Sequence, residues 1–532
     1  MSAPVIAEMD TGGPLTVEQI TERLDEFGVP AVSHPAPVDG TNSNGSRFSR
    51  RCLVNRVAKA RPRTRDRTLF GAVKDAARQG DLDNELVAAL TAAAQSTSVP
   101  GDEFTDVEIA RAIRSGMRSA GVTQYDAIAE SDAEVKPAAV LRTNAERAAA
   151  LAEAHRVFRK WLGDDYDLDA LDVVLAALAV ERLVGDLLWL LLVSGSGNAK
   201  TETVQSVHDV VHTHLVSTIA SPGALLSATS KRDRAADASG GLLRVIGEHG
   251  VLVIKDVTSI LSMSRELRAE VLAALREMYD GRWTRTVGTD GGRTLDWSGR
   301  IAVIGAVTTA WDTAHAVIAS MGDRFVLLRL DSTTGRLKAG RRAIDNTGSE
   351  TDMRAELAAA VADVMAGMDT TAINLTDTET EKLLAAADLV TRARTGVEYD
   401  YQGNVSDSHA PEMPTRFAKQ LAQVVRGGVA VGMSRDAAMR LAIRCARDSM
   451  PPQRLAILEW LAYHPLQSTA QVRKGINKPR NTVDRQLQAL HMLGVLDCDE
   501  EDISADKTRW IYSLAEGVDP STLKVSSRNV SG

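Results

Sequence analysis

The sequence has little of several things, and each scarcity excludes a class. It holds three cysteines, Cys52, Cys445 and Cys498, far apart and without ligand spacing. They support neither a disulfide framework nor a zinc site, and they suit a reducing compartment. Aromatic residues are only 4% of the chain, while alanine-rich stretches are frequent, which favours helix. The longest strongly apolar run, Leu187 to Val193, is far short of the roughly 20 residues of a membrane-spanning helix. The first residues, MSAPVIAEMDTGG, have neither the basic nor the apolar region of a secretory signal. A cytoplasmic protein without a membrane partner is expected. The formal net charge of -8 argues against a protein that coats nucleic acid, but not against local basic patches.

What is present is length and a change of periodicity. A chain of 532 residues exceeds one compact core and points to three or four domains. Residues 1–45, rich in Pro, Gly, Ser and Asn, read as a flexible lead-in with one short helix, Thr16 to Phe27. Residues 46–165 read as a helical region with helices Leu82 to Ala94, Thr105 to Ala120 and Ala139 to Leu162. Its first part, Arg47 to Arg78, is strongly basic, which fits either a solvated face or a nucleic-acid contact. From Leu187, buried-strand runs alternate with helices: LLWLLLV, GVLVI (Gly250 to Ile254), IAVIGAV (Ile301 to Val307) and RFVLLRL (Arg324 to Leu330). Continuous apolar runs of this kind belong to a parallel sheet covered on both faces, so 166–345 is an α/β core. Residues 346–450 are helical throughout, and Pro451-Pro452 opens a small domain over 451–517, followed by a flexible tail, 518–532.

The chemistry concentrates in VSGSGNAKTET, Val193 to Thr203. It follows an apolar strand and precedes a helix, as a phosphate-binding loop must. Ser194, Gly195, Ser196, Gly197, Asn198, Ala199, Lys200, Thr201 and Glu202 form the expected ATP-binding segment. Its glycines let backbone amides face phosphate, Lys200 reaches the outer phosphates, and Thr201 can ligate magnesium. Ser194 and Ala199 stand where G-x-x-x-x-G-K-[ST] has its first and last glycines. An ordinary glycine-rich turn is the alternative. Three histidines, His208, His212 and His214, read as a surface set on the following helix.

The Ala-Lys-Thr ending resembles the helix-two-insert branch of AAA+ ATPases, which includes minichromosome-maintenance helicases and MoxR-type ATPases. The likeness continues in order over about residues 185–430. GGLLRVIGEHGVLVIKDV resembles the segment ending in Walker B, RWTRTVGTDGGRTLDW a pre-sensor-1 hairpin, RIAVIGAVT sensor 1, SMGDRFVLL the arginine-finger segment and MPTRFAKQLAQVV sensor 2. The resemblance implies ATP and Mg2+ as cofactors and a homo-oligomeric ring, a hexamer by family habit. It implies that Thr308 orients water, that Arg324 reaches a neighbour's phosphate, and that Arg416 closes the lid on the nucleotide. Asp256, with Thr201, would serve the metal. The Walker B carboxylate pair is incomplete, because Lys255-Asp256 stands where Asp-Glu is usual; Glu248 is a candidate for the missing group. Nucleotide binding is therefore the firmer expectation and fast hydrolysis the weaker one.

Two segments suit DNA. In Arg282 to Arg300, apolar-polar alternation around GTDGG predicts a hairpin, and Arg282, Arg285 and Arg293 with Trp283 combine charge and a stacking surface for single strands. In 451–517, three helices and two strands resemble a winged helix-turn-helix. Arg480, Asn481, Thr482 and Arg485 lie on the outward face of its third helix, suited to duplex DNA; its acidic wing also suits a protein partner. Short stretches before residue 120 loosely resemble a linker of mobile-element replication proteins. The expected fold is thus an α/β P-loop AAA+ core with a helical N-terminal region, a helical lid and a C-terminal winged helix-turn-helix. The expected function is a helicase-like motor or replication-initiator ATPase. The alternatives are a DNA-binding regulator with a weakly hydrolysing core, and a MoxR-like chaperone.

Overall fold

The computed structural model describes residues 48–61, 64–79, 81–98, 104–119, 142–197, 199–229, 239–288, 292–313, 324–371, 373–402, 404–504 and 507–525. The expected helix Thr16 to Phe27, Asn198, the hairpin tip and the last residues of the tail lie outside them. The chain divides into two compact units, 1–138 and 139–532.

In the first unit, helices α1 (Arg50–Ala58), α2 (Arg65–Arg78), α3 (Asn84–Gln95) and α4 (Asp106–Ser119) enclose a core of Leu53, Leu69, Val73, Leu90 and Ile109. Ser49 and Asp83 cap α1 and α3 by accepting backbone N–H bonds. The basic stretch is partly absorbed here. Arg50 pairs with Asp83, Arg56 with Asp75 at 2.8 Å, and Arg65 is buried. Arg51, Arg61, Arg67 and Arg78 remain exposed.

The second unit begins with α5 (Asn144–Leu162), which belongs with the α/β core and not with the helical region expected over 46–165. Thr143 and Glu146 close a capping box at its start. Next, α6 (Leu168–Arg182) is buried over nearly its whole length, as a helix that is apolar all round must be. A mixed α/β core follows, built on five parallel strands: β1 (Trp189–Val193), β2 (Thr213–Val216), β3 (His249–Ile254), β6 (Arg300–Val307) and β7 (Val326–Arg329). Their order is β2-β3-β6-β1-β7. Between β3 and β6 come α8 (Arg265–Tyr279) and a hairpin of β4 (Arg282–Val287) and β5 (Arg293–Ser298); α7 (Lys200–Gln205) follows β1. The four apolar runs are the three interior strands β3, β6 and β1 and the edge strand β7, whose Leu327 N–H donates to Ser449 Oγ at 3.0 Å. Edge strand β2, THLV, has no apolar run and escaped the pattern. The three histidines lie on turns and β2, not on one helix.

Helices α9 (Arg336–Asp345), α10 (Glu350–Ala366), α11 (Asp377–Arg394), α12 (Thr415–Ala430) and α13 (Arg435–Asp448) follow the sheet. This region is not wholly helical: β8 (Val397–Tyr399) and β9 (Val405–Ser408) pair as a hairpin. The last domain has α14 (Pro452–Tyr463), β10 (Gln467–Ser468), α15 (Thr469–Gly475), α16 (Arg480–Met492), β11 (Leu496–Ser504) and β12 (Lys507–Leu514). Its sheet runs β10-β12-β11 and is antiparallel. Part of the expected tail is packed, since Val518, Pro520 and Leu523 are buried. No helix among the described residues is long and apolar enough to cross a membrane.

Candidate functional site

Parallel strands bring their carboxyl ends to one rim of the sheet, and a crevice opens there where the chain reverses direction between neighbouring strands. β1 lies between β6 and β7, so this switch point is at Val193. The glycine-rich loop leaves it directly. Ser194 N–H donates to the Val307 carbonyl at 3.2 Å, and Leu330 N–H to the Val193 carbonyl at 2.9 Å, which ties the loop's root to both neighbours. A Cβ on Gly195 would stand 2.9 Å from Ser332 Oγ, so glycine is needed for close approach. Gly197 has φ of 78°, and Ala199, capping α7, has φ of 51°. An alanine held left-handed costs about 1 kcal/mol, strain that the usual glycine would not carry.

Lys200 opens α7 and is only 8% exposed. Its Nζ donates to the Gly195 carbonyl at 2.8 Å. Burial lowers its pKa, and Asp256 is the charge that opposes the shift. Asp256, exposed just beyond β3, accepts from Thr258 N–H at 3.0 Å. Thr258 Oγ1 in turn accepts from Thr308 N–H at 3.1 Å. The ends of β1, β3 and β6 thus gather Lys200, Asp256, Thr258 and Thr308. Thr258 was not foreseen, because a threonine two places past an aspartate carries no motif of its own.

Glu248 does not join them. It precedes β3 and lies at the amino end, a strand of six residues or roughly 20 Å away. Of Glu248 and Asp256, only Asp256 stands at the loop's end of β3. With the exposed Thr201 hydroxyl at the first turn of α7, it suits a hydrated magnesium ion that keeps most of its waters and takes phosphate oxygens as further ligands. No group of three His, Cys, Asp or Glu side chains suited to a metal occurs among the described residues.

Glu202 is held by Arg354 of α10 through two bonds of 3.0 and 3.1 Å. Tyr166 hydroxyl and Thr203 Oγ1 are 2.8 Å apart. Near them is a cleft of about 480 Å³ lined by Arg159, Tyr166, Asp167, Asp169, Arg440, Arg444 and Arg447 among others. Arg444 Nη2 donates to the Arg329 carbonyl at the end of β7, which puts the cleft on the loop's side of the sheet. Burial raises the Asp169 pKa, but Arg440 and Arg444 outweigh it and hold the group down to about 2.

Arg324 and Arg416 sit elsewhere. Arg324 precedes β7, at the amino end of the sheet. Gln420, one turn after Arg416 on α12, donates to the Arg324 carbonyl at 2.7 Å, and Gln423 to the Asp186 carbonyl before β1 at 2.7 Å. Arg324 pairs with Asp280 at 3.2 Å and lies 5.4 Å from the centre of the Tyr279 ring. Arg416 pairs with Glu412 at 3.4 Å. Burial pushes the Tyr279 phenol up to about 12 against the pull of Arg416 and Arg324. The two arginines therefore share one patch, about a strand's length from Lys200 of the same chain.

No family model and no curated protein matches the chain.

The hairpin expected over 282–300 forms, with Trp283 opposite Trp297. Its stacking role is overturned. Trp283 and Trp297 are 8% and 6% exposed, and Trp297 Nε1 donates to the Gly247 carbonyl at 3.0 Å. Alternation sends positions 283, 285, 295 and 297 to the same face, which is packed. Arg285 is occupied by the Leu226 carbonyl, Arg293 is half-buried and Arg282 is exposed. In the last domain Arg480, Asn481 and Arg485 are exposed and Thr482 is half-buried. Exposed Arg473, Lys474 and Lys478 precede them, and were missed because α15 has no pattern beyond its cap.

Proposed function

We propose that the chain is an ATP-binding protein of the AAA+ type that acts on DNA, as a helicase-like motor or replication-initiator ATPase. The observation that carries this reading is Lys200. It is buried at the start of a helix, at the switch point of a parallel sheet, with Asp256 as its facing charge. A lysine folded onto loop carbonyls there is poised to exchange them for the outer phosphates of a nucleotide. Thr201 and Asp256 would hold magnesium, which would neutralise charge developing on the transferred phosphoryl group. Thr308, linked to Thr258, would orient water.

Arg324 and Arg416 support a ring. They lie too far from their own loop to touch its phosphate, yet they are together and partly accessible, as residues acting on a neighbouring copy must be. Arg416 then works beside Arg324 across the contact, not as a lid on its own nucleotide. A homo-hexamer follows from the resemblance. DNA contacts would come from Arg282 on the hairpin and from Arg473, Lys474, Lys478, Arg480 and Arg485 in the last domain, read as a winged helix.

One observation favours a second reading, a DNA-binding regulator that senses nucleotide without much turnover. Lys255 occupies the metal-side position and Glu248 is out of reach. Steady-state ATP hydrolysis with and without single-stranded DNA, beside Lys200→Ala, decides. DNA-stimulated turnover lost in Lys200→Ala supports the motor. Lys200-dependent binding without turnover supports the regulator, and no Lys200-dependent binding ends both.

A further inference from the structure

Helix α16 has a flank that a free recognition helix would leave open. Ala489 stands one turn after Arg485 on the same side of the helix, yet Arg485 is exposed and Ala489 is fully buried. Val483, Leu487 and Leu490 face the domain's own core. Ala489 lies roughly 130° round the helix from that stripe, so the core does not account for its burial. Outside its own domain, α16 packs against β9 of the β8–β9 hairpin. Arg454 of α14, itself buried, shows on which side. Its Nε donates to Gln486 Oε1 at 2.9 Å, and its Nη1 to the Ala393 and Thr395 carbonyls, both at 2.7 Å. Thr395 stands two residues before β8, and Gln486 neighbours Ala489 one turn away. The hairpin therefore lies along the flank that carries Gln486 and Ala489.

This cover is a contact that can part. Burial pulls the Arg454 pKa down to about 10, opposed only by the Tyr399 phenol, and no carboxylate pairs with it among the described residues. A buried guanidinium without a counter-ion carries a cost that water relieves when the contact opens. The hairpin is also weak in itself. Its strands have three and four residues, and its outer face sets Glu398 directly opposite Asp407, both exposed. Like charges opposed across a strand pair are destabilising. Residues 396–410 contain no lysine or arginine, so the hairpin offers carboxylates and no cation to a phosphate backbone. A major groove about 12 Å wide is filled by one helix about 10–12 Å across. α16 cannot enter it with β9 on its flank.

Resting on the reading of the last domain as a winged helix that binds duplex DNA, we propose that the β8–β9 hairpin is an autoinhibitory arm. Held on α16 through Arg454, it keeps the helix out of the major groove, and full duplex binding requires its release. With the arm on, exposed Arg480, Asn481 and Arg485 still reach phosphates, which gives weak, salt-sensitive contact. With the arm off, the flank of Gln486 and Ala489 also faces the groove, and the helix can seat against base edges.

Fluorescence anisotropy of a labelled random-sequence duplex with the full chain tests this, beside hydrogen exchange of residues 397–408. Arg454→Met keeps the packing and drops the bonds to Gln486 and the two carbonyls. Replacing residues 398–407 by Gly-Ser-Gly removes the arm altogether. Each change tightens duplex binding at least about tenfold, and adding Arg485→Ala to either cancels the gain. Glu398→Gln with Asp407→Asn leaves the cover in place and does not reproduce it. In the wild-type chain, saturating duplex speeds exchange over 397–408 as the arm leaves α16. Wild-type protein that binds duplex through Arg485 as tightly as both release variants overturns the inference while the winged-helix reading stands. So does exchange over 397–408 that duplex leaves unchanged. A gain from Glu398→Gln with Asp407→Asn equal to that of removing the arm also overturns it, since repulsion and not cover would be the cause. Absence of duplex binding by every variant removes the winged-helix reading, and the inference with it.

Discussion

Gly427→Ala probes the helix crossing that carries the arginine patch. Gly427 lies on α12, which packs against α6. A Cβ built there stands 2.3 Å from the Ala176 carbonyl oxygen and 2.9 and 3.0 Å from its C and Cα atoms. That is roughly 1 Å inside ordinary contact, and every opposing atom is backbone, so no rotamer change relieves it. The two helices must separate. Overpacking of this sort costs about 1–3 kcal/mol, and the backbone clash belongs at the upper end. Alanine would otherwise favour an exposed helix by about 1 kcal/mol. The net expectation is a loss of about 2 kcal/mol and, for a unit of this size, a fall of about 2 degrees in the thermal midpoint. Gly340→Ala on α9 is the control, because nothing lies within 4 Å of its Cβ. In dilute protein it leaves the midpoint unchanged or slightly raised. Since Gln420 and Gln423 fix α12 to the Arg324 and Asp186 carbonyls, the motor reading expects Gly427→Ala to lower ATP turnover as well, at temperatures where the protein stays folded. A variant as stable and active as wild type would refute the close packing of α12 on α6.

Lys200→Ala weakens ATP binding about a hundredfold to ten-thousandfold, from two lost charge-assisted bonds of about 1.5–3 kcal/mol each; affinity within threefold of wild type in a fluorescence titration counts against the loop. Lys255→Asp restores the second carboxylate and raises turnover at least about tenfold, whereas an unchanged rate means that Lys255 does not displace a metal ligand. Asp169, held down to about 2, contributes about 2 kcal/mol that is present above about pH 4 and lost as pH falls toward 2. Asp169→Asn should therefore flatten the acid limb of a stability-pH curve, and an unaltered limb would discount the Arg440–Asp169–Arg444 cluster. Trp283→Ala removes a packed side chain and costs about 3 kcal/mol in denaturant unfolding, while Arg282→Ala lowers single-strand affinity without that loss. The reverse pattern would restore Trp283 as a stacking residue.

What the sequence made legible follows from burial. β1, β3, β6 and the edge strand β7 are buried and therefore read as apolar runs, whereas β2 is a half-exposed edge and β8–β9 a short polar hairpin, so neither leaves a run to read. Trp283 shows the converse limit. A tryptophan beside arginines has the composition of a nucleic-acid surface, but composition does not say which face of the hairpin is packed. Only the cross-strand register, with Trp283 opposite Trp297, decides that. Glu248 fails for a related reason: seven residues before Lys255 along the chain becomes the far end of a strand in space.

The arginines carry the same lesson further. Sequence order placed Arg324 and Arg416 in one series with Lys200, as though all three served one nucleotide. Parallel topology separates them, because Lys200 leaves the carboxyl end of β1 while Arg324 enters the amino end of β7. On the nucleotide reading proposed above, the loop and the arginines act at opposite ends of the sheet, with Arg324 paired to Asp280 and Arg416 to Glu412. On that reading the arginines serve the nucleotide of a neighbouring copy, because their own loop lies a strand's length away.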